Sequence, residues 1–172
     1  MEDYHQLLAE KTIALSDKLG RKIDYIEVGV CTGNSAEAVL GTGRINRAVL
    51  IDNWTMHWPG ADIVSVSHRL KEYEGTFEIV SGNSRDVLSK LSKSFDMGFV
   101  DGDHEESSCI ADMTAMLPLL RVGGVMFVDD MQQTGSKDIW LQRVTEKFAS
   151  ENALTMQLHD VHNGLAELSN GQ

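Results

Sequence analysis

Apolar positions along the chain follow two alternating spacings. Between residues 4 and 19 they recur on one helical face, and Gly20 supplies a stop. From Asp24 to Val30 the chain has a short β-rich run, and segments of these two kinds then take turns. This alternation predicts a mostly parallel sheet covered by helices.

The later elements follow the same order. Further strands are predicted at 47–51, 76–80, 95–100 and 125–128. A helix with Asn34 as its N-cap and Glu37 as the capping-box partner should run to about Leu40. The other predicted helices are one along Ile63, Val66, Leu70 and Tyr73, a short one over 86–91, one along Cys109, Met113, Met116, Leu117 and Leu120 that Gly123-Gly124 breaks, and one along Ile139, Trp140, Val144 and Phe148.

The end of the chain departs from this order. Residues 154–159 and 165–168 are strand candidates separated by only a few residues, among them Asn163-Gly164, a dipeptide typical of hairpins. The last two strands should therefore be antiparallel. A dinucleotide dehydrogenase would normally end in a sixth parallel strand instead.

Length and hydropathy indicate one globular domain, with an N-terminal helix over 1–22 and a core over 23–172. No apolar run approaches the ~20 residues that cross a bilayer. The acidic N-terminus lacks the layout of a signal peptide. We therefore expect a cytoplasmic protein that does not bind membranes.

The charge balance limits the classes of partner that the protein is expected to bind. Fifteen basic and 26 acidic residues give a formal charge of −11. Binding to nucleic acid or to an anionic membrane relies on Lys and Arg, so both are disfavoured. The only two cysteines, Cys31 and Cys109, lack CxxC spacing, which makes a disulfide framework or a zinc site improbable.

A glycine-containing loop follows the first predicted strand. Glycine at 29 and 33 allows positive φ and a close approach of the backbone to a ligand. Free N–H groups at the start of the next helix can bind the ligand's polar atoms. A nicotinamide site would usually have GxGxxG, but Cys31 takes the place of the second glycine and the spacing is GxxxG. The loop therefore predicts a ligand site of another kind.

Polar residues also follow the second and third strands. Asp52 lies about 20 residues past the glycine loop, where an acidic side chain typically binds ribose hydroxyls. Residues 81–84 are placed to line an adenine. Alternatively, Asp52 and Asn83 only cap turns. In combination with the loop, we favour ligand binding.

Carboxylates cluster after the fourth and fifth strands, in Asp101-Gly102-Asp103-His104 and Asp129-Asp130. These strands should be neighbours, so the side chains would converge at the carboxyl edge of the sheet. Like charges this close repel unless one is protonated or a cation intervenes. Oxygen ligands suit Mg²⁺, with Ca²⁺ or Mn²⁺ as substitutes. Alternatively, Asp103 and Asp130 are helix caps and only Asp101 faces the site.

Two further features flank this edge. His104 follows Asp101 by three residues, and a neutral imidazole there could accept a hydroxyl proton, although a lone loop histidine is more often merely solvated. Residues 54–58 form an aromatic-rich loop after Asp52. It could shelter a cofactor or substrate, or it could be an apolar plug on the sheet edge.

Taken together, these segments resemble the class I S-adenosylmethionine-dependent methyltransferases, and most closely the small O-methyltransferases of the macrolide-sugar and catechol type. The matching segments fall in order at 26–35, 50–54, 99–104 and 123–130. The resemblance implies an α/β fold: a Rossmann-like seven-stranded sheet, mostly parallel with a C-terminal antiparallel hairpin and with helices on both faces.

The resemblance also implies roles for individual residues. Glu27, Gly29 and Gly33 would hold the methionine part of S-adenosylmethionine, and Asp52 the ribose. The expected cofactor contacts are Glu27, Gly29, Cys31, Thr32, Gly33, Ser35, Asp52, Asn53, Gly82, Asn83, Ser84 and Asp101. The metal ligands would be Asp101, Asp129 and Asp130. Catechol-type relatives have Asp-Asn at the last pair, and a lysine where this chain has His104.

We therefore expect metal-assisted O-methylation of a small hydroxylated molecule, such as a sugar, a phenol or another vicinal diol. The cation would lower the hydroxyl pKa and orient the oxygen, with Asp101 and His104 as catalytic residues. Two alternatives remain: methylation without metal, and a cofactor-binding protein of the same fold without catalysis. Because no sizeable insertion can act as a lid, the site should be open or completed by a second subunit, as in a homodimer.

Overall fold

The structure is a computed structural model that describes residues 3–92, 94–131, 140–161 and 163–169. Its strands are β1 Ile23–Val28, β2 Ile45–Asp52, β3 Phe77–Ser81, β4 Phe95–Val100, β5 Leu120–Val128, β6 Thr155–His159 and β7 Leu165–Ser169. They form one seven-stranded sheet in the order β3-β2-β1-β4-β5-β7-β6. β7 is antiparallel to both β5 and β6, and the other neighbouring pairs are parallel. The predicted fold and its hairpin are confirmed.

Six α-helices are described around this sheet: α1 Tyr4–Leu19, α2 Asn34–Gly41, α3 Ile63–Arg69, α4 Ser84–Leu88, α5 Glu106–Met116 and α6 Trp140–Glu151. Two short 3₁₀ helices, Lys71–Tyr73 and Leu117–Leu119, follow α3 and α5. Among the described helices, none is long and apolar enough to cross a membrane.

The helices cover the sheet in two layers because strand side chains alternate between its faces. On one face, Tyr25 packs in a buried cluster with residues of α1, α2 and α3. On the other face, Ile26 and Val28 pack with residues of α4, α5 and α6. Glu27 therefore belongs to the α1–α3 side of the sheet, next to the glycine loop.

The predicted N-cap of α2 is wrong by one residue. Gly33 is the cap, at φ 81°, and no side chain makes a capping hydrogen bond. Asn34 is already helical, because the left-handed glycine turns the chain directly into the helix. The predicted capping box is also absent, since Glu37 bonds Arg69 of α3 at 2.8 Å instead.

The predicted break at Gly123-Gly124 is also wrong, because both glycines lie inside β5. A Cβ on Gly124 would lie 2.9 Å from the Arg121 carbonyl oxygen and 3.0 Å from that of Asp96. The register against β4 shifts at this point. The glycines therefore allow an irregular, tightly packed strand, which begins at Leu120 rather than at Val125. Leu120, predicted to be helical, starts this strand, and Ile139 lies outside the described residues.

An ion network closes the amino ends of the central strands. Arg21 binds Asp96 in a bidentate manner at 2.7 and 2.9 Å. Arg121 bridges Asp96 and Asp24, at 2.7 Å to each. Both aspartates are buried. The network joins β1, β4 and β5 at the end of the sheet opposite the candidate site.

Candidate active site

Backbone hydrogen bonds continue past the ends of the strands and fix the loops of the site. The N–H of Gly29 donates to Ile51 at 2.9 Å, and that of Asp101 donates to Val28 at 2.9 Å. The N–H of Asp129 donates to Val100 at 3.1 Å. The residues that follow β1, β4 and β5 therefore start from positions set by the sheet.

The two glycines of the loop allow neighbouring parts of the protein to pack closely against it. Gly29 has φ 89°, and a Cβ on it would lie 1.9 Å from the Asp101 carbonyl oxygen. A Cβ on Gly33 would lie 3.2 Å from Val66 of α3. From the sequence, the reason expected for these glycines is a close approach of the backbone to a ligand. The structure adds a second reason, which is that the β4 loop and α3 pack against the glycine loop.

Glu27 is fully buried at the end of β1. Its carboxylate accepts hydrogen bonds from the Tyr25 hydroxyl at 2.8 Å and from the Ser35 hydroxyl at 2.5 Å. Burial raises the pKa of Glu27 to about 7, although these two hydrogen bonds oppose the rise. Ser35, predicted to contact the cofactor, is thus turned toward Glu27.

Asp52 ties the glycine loop to the end of β2. One of its oxygens accepts from the Cys31 N–H at 2.8 Å and the other from the Trp54 N–H at 2.7 Å. Both donor residues have positive φ, 50° and 58°. Turn capping by Asp52 is therefore present, and each carboxylate oxygen keeps a lone pair for a further donor.

The other predicted cofactor contacts after β2 and β3 make local contacts. Asn83 is the N-cap of α4 and accepts a backbone N–H at 3.1 Å, which confirms its capping role. The Ser84 hydroxyl donates to Asp112 of α5 at 2.6 Å. The exposed Asn53 accepts a backbone N–H two residues on at 3.0 Å, and Gly82 has φ 156°. These residues lie at the carboxyl edge as predicted.

The acidic cluster combines residues from two strand ends. Asp101, His104 and Asp130 each offer a ligand atom, and these atoms lie within 4.8 Å of one another. His104 Nδ1 is 2.8 Å from Asp130 Oδ2, and the Asn163 side chain donates to Asp130 Oδ1 at 2.9 Å. Two of the three predicted ligands thus come together, with His104 as the third group.

Asp129, the remaining predicted ligand, lies beside this group. It is only 7% exposed, and its Oδ1 has no hydrogen-bond partner among the described residues. Asp103 instead accepts from Ser108 at 2.8 Å near the start of α5, in agreement with a structural role. The orphaned Asp129 oxygen therefore marks a place where a donor or a cation would be stabilised.

The charges in the cluster perturb one another. Burial, followed by the charges of Asp129 and Asp130, raises the pKa of Asp101 well above its ordinary value. Burial raises the pKa of Asp129 to about 7. The hydrogen bond with Asp130 raises the pKa of His104. The charged forms of these neighbouring carboxyl groups are unfavourable together, so a cationic occupant would stabilise them.

Tyr4 lies close enough to the acidic groups of the site to be affected by their charges, which the sequence did not predict. It lies at the start of α1, with its ring centroid 6.1 Å from that of Phe99 on β4. Burial, followed by the charges of Asp101, Asp129 and Glu27, raises its pKa, so the phenol stays a hydrogen-bond donor. The helical periodicity placed Tyr4 among core positions, which concealed the polar end of the side chain.

The aromatic loop after Asp52 divides into two parts. Trp54 packs against the α1–α3 core, in agreement with the plug interpretation. Trp58 is 63% exposed and Met56 is 48% exposed. Beside this loop, between the glycine loop and α3, lies an open cavity of about 380 Å³. It is lined by Thr32, Glu37, Pro59, Gly60, Ser65, His68 and Arg69.

The fold and the site together define a class I, Rossmann-like methyltransferase. A family model described as a methyltransferase domain matches residues 26–131, which is more than half of the 172 residues. The chain belongs to this methyltransferase family. The predicted identification as an S-adenosylmethionine-dependent methyltransferase is thus confirmed at the level of family and fold. Among curated protein sequences, none matches the chain significantly.

Solved structures share the fold over nearly the whole chain. The O-methyltransferase TomG from Streptomyces achromogenes, in complex with S-adenosylmethionine, is 22% identical, with a TM-score of 0.69 over 98% of this chain and 80% of that chain. The O-methyltransferase from Bacillus cereus, in complex with S-adenosylhomocysteine, is 16% identical, with a TM-score of 0.72 over 96% and 80%. PaMTH1, a methyltransferase from Podospora anserina bound to S-adenosylhomocysteine, is 17% identical, with a TM-score of 0.70 over 100% and 80%.

Proposed function

We propose that the protein transfers the methyl group of S-adenosylmethionine to a hydroxyl of a small molecule, with a divalent cation assisting. Family membership gives the reaction type, and two of the structural relatives are themselves O-methyltransferases. The observation that carries the site assignment is the buried, unpartnered Asp129 Oδ1 beside Asp101, His104 and Asp130.

The residues of the glycine loop and of β2 would hold the cofactor. Glu27 supplies a buried carboxylate for the ammonium of the methionine part, and Asp52 supplies oxygens for the ribose hydroxyls. The acidic character of the site complements a cationic ligand. When bound, S-adenosylmethionine supplies an activated methyl group for an in-line displacement.

The acidic cluster fits a divalent cation by the chemistry of its donors. Asp101 and Asp130 provide oxygen ligands, which suit Mg²⁺, and the His104 imidazole would also suit Mn²⁺. Asp129 would be a further ligand of the cation, or would support the other ligands, through its unpartnered Oδ1. A cation held there would lower the pKa of an acceptor hydroxyl and orient its oxygen. Tyr4 could donate to the acceptor from the α1 side.

A calorimetric titration with S-adenosylhomocysteine tests the cofactor part of the proposal. Micromolar binding, on the order of −8 kcal/mol, is expected. Absence of binding both with Mg²⁺ and with EDTA would contradict the assignment of S-adenosylmethionine as the cofactor. Methyl transfer to a panel of catechols, phenols and sugars then tests catalysis, and binding without any transfer would favour a non-catalytic protein of this fold.

The cation part is tested with Asp129→Asn, which keeps the shape of the side chain and removes its charge. We expect weaker Mg²⁺ and Mn²⁺ binding and reduced transfer. Asp86→Asn, on the exposed surface of α4, is the matched control and should change neither. Full activity of the wild-type protein in EDTA would exclude the metal-assisted mechanism.

Methylation without metal is the second candidate. The 2.8 Å contact between His104 Nδ1 and Asp130 Oδ2 favours it, because a carboxylate that orients an imidazole is a common arrangement for a general base. In that case, His104 Nε2 would accept the hydroxyl proton directly. Transfer that survives EDTA but is lost in His104→Gln would identify this mechanism.

A further inference from the structure

Two buried hydroxyl groups donate hydrogen bonds to the Glu27 carboxylate, one to each oxygen. Tyr25 and Glu27 are both 0% exposed, and Ser35 is 4% exposed. The Tyr25 hydroxyl donates to Oε2 at 2.8 Å, and the Ser35 hydroxyl donates to Oε1 at 2.5 Å. Each carboxylate oxygen thus has one neutral donor, from β1 itself and from the first turn of α2.

Among the described residues, no cationic side chain accompanies the charged form of Glu27. No lysine, arginine or histidine of the described chain forms an ion pair with it. The titratable groups that face it are acidic or neutral: Tyr25 on β1, Asp52 on β2, Asp101 after β4 and Tyr4 on α1. A buried carboxylate in such surroundings either keeps its proton or waits for an external cation.

We propose that Tyr25 and Ser35 are positioning residues that aim the Glu27 carboxylate at the ammonium group of the cofactor, and that cofactor binding releases the proton of Glu27 to solvent. The inference rests on the proposed function. The ammonium keeps its own protons, and the carboxylic acid loses one to become the charged partner. No other reactant is needed.

The two hydroxyls set the ease of this proton release. Burial disfavours the carboxylate, whereas each donated hydrogen bond stabilises it. With both hydroxyls present, the pKa of Glu27 is about 7. Removal of either hydroxyl would favour the protonated form, so the cofactor would bind more weakly at neutral pH and its best binding would move to higher pH.

Calorimetry with S-adenosylhomocysteine tests this directly, since that molecule has the ammonium but lacks the sulfonium charge. Titrations at several values between about pH 5.5 and pH 8.5, each in two buffers of different ionisation enthalpy, count the protons released. We expect fractional release by the wild-type protein near pH 6.5. Glu27→Gln should lose that component, so any release that persists belongs to other groups.

Tyr25→Phe and Ser35→Ala each remove one hydroxyl oxygen and leave the packing group in place. Each should bind about fivefold or more weakly at pH 7 and recover affinity as the pH rises. Tyr73→Phe is the matched control, because Tyr73 packs against the same core while its hydroxyl lies near Gly41. Thermal melts establish that each variant is folded.

The possible outcomes distinguish the positioning role, the proton release and the proposed function. An unshifted pH profile in both hydroxyl variants, whatever their affinity at pH 7, would overturn the positioning role. Normal wild-type binding with no Glu27-dependent proton release would overturn the coupling. Absence of binding by the wild-type protein would overturn the proposed function itself.

Discussion

The Asp101 carbonyl oxygen occupies the space that a side chain on Gly29 would need. A Cβ at Gly29 would lie 1.9 Å from that oxygen, and the φ of Gly29 is 89°. The glycine loop after β1 and the acidic loop after β4 are therefore in direct backbone contact. Any change at Gly29 must move both loops.

Gly29→Ala should consequently destabilise the protein by about 3 kcal/mol or more, since it combines a backbone clash with a strained φ. Urea denaturation measures the loss. Gly43→Ala separates the two causes, because Gly43 has φ 67° and no atom within 4 Å of its Cβ position. That control variant should lose only about 1 kcal/mol of unfolding free energy. Equal losses of stability in the two variants would show that the backbone clash at Gly29 does not contribute.

The stability of the ligand-free protein should fall between about pH 4.5 and pH 7. Glu27 has an ordinary pKa of 4.5 and a folded-state pKa of about 7, so the folded state binds more protons in this range. The protonation of Glu27 accounts for a loss of roughly 3 kcal/mol of unfolding free energy at most over this range. Asp101 and Asp129 act in the same direction.

Glu27→Gln should therefore flatten the pH dependence of the melting temperature and raise that temperature at pH 8. Thermal melts of the variant and the wild-type protein across this range check the effect. The exposed Glu74→Gln serves as the control and should leave the profile unchanged. If the profiles of Glu27→Gln and the wild-type protein coincide, the protonation of Glu27 described above is wrong.

His104 and Asp130 should act as one unit in cation binding. Their side chains meet at 2.8 Å, and each can offer an atom to the same ion. We expect His104→Ala and Asp130→Ala each to weaken Mn²⁺ binding at least tenfold, and the double variant to lose less than the sum. Additive losses, measured by titration with Mn²⁺, would show that the two residues are independent.

The ion network at the amino ends of the strands should be important for stability. Asp96→Ala leaves Arg21 and Arg121 without their shared buried partner, so we expect a loss of about 3 kcal/mol. Asp17→Ala, which removes an exposed contact with Arg44, should have no measurable effect. Similar urea midpoints for Asp96→Ala and the wild-type protein would contradict this role.

The sheet and its helices could be predicted from the sequence because their signals are local. Periodic apolar positions identified α1 and β4 with the bounds that the structure shows, and Asn163-Gly164 identified the hairpin. Gly123 and Gly124 misled the prediction, since a pair of glycines resembles a break unless the neighbouring chain is known. The close packing at Gly124 depends on Asp96, which is distant in sequence.

The candidate site could be predicted only in part, because some of its contacts depend on the three-dimensional arrangement of the elements. The strand ends that carry Glu27, Asp52, Asp101 and Asp130 were predicted, because parallel strands deliver their carboxyl ends to one edge. Tyr4 and the Tyr25–Glu27 contact were not, since they depend on how α1 and β1 present side chains in three dimensions. The acceptor, the homodimer and the cytoplasmic location stay predictions.

The amide hydrogen bonds of Gly29, Asp101 and Asp129 have a consequence for how such a site can diversify. These three residues are anchored to neighbouring strands, so their amides should exchange with solvent as slowly as those of the sheet. The loops beyond them can then lengthen or change sequence while the anchored starting points stay in place. We therefore expect that changes in these loops could alter the choice of acceptor while the anchored residues keep their positions at the edge of the sheet.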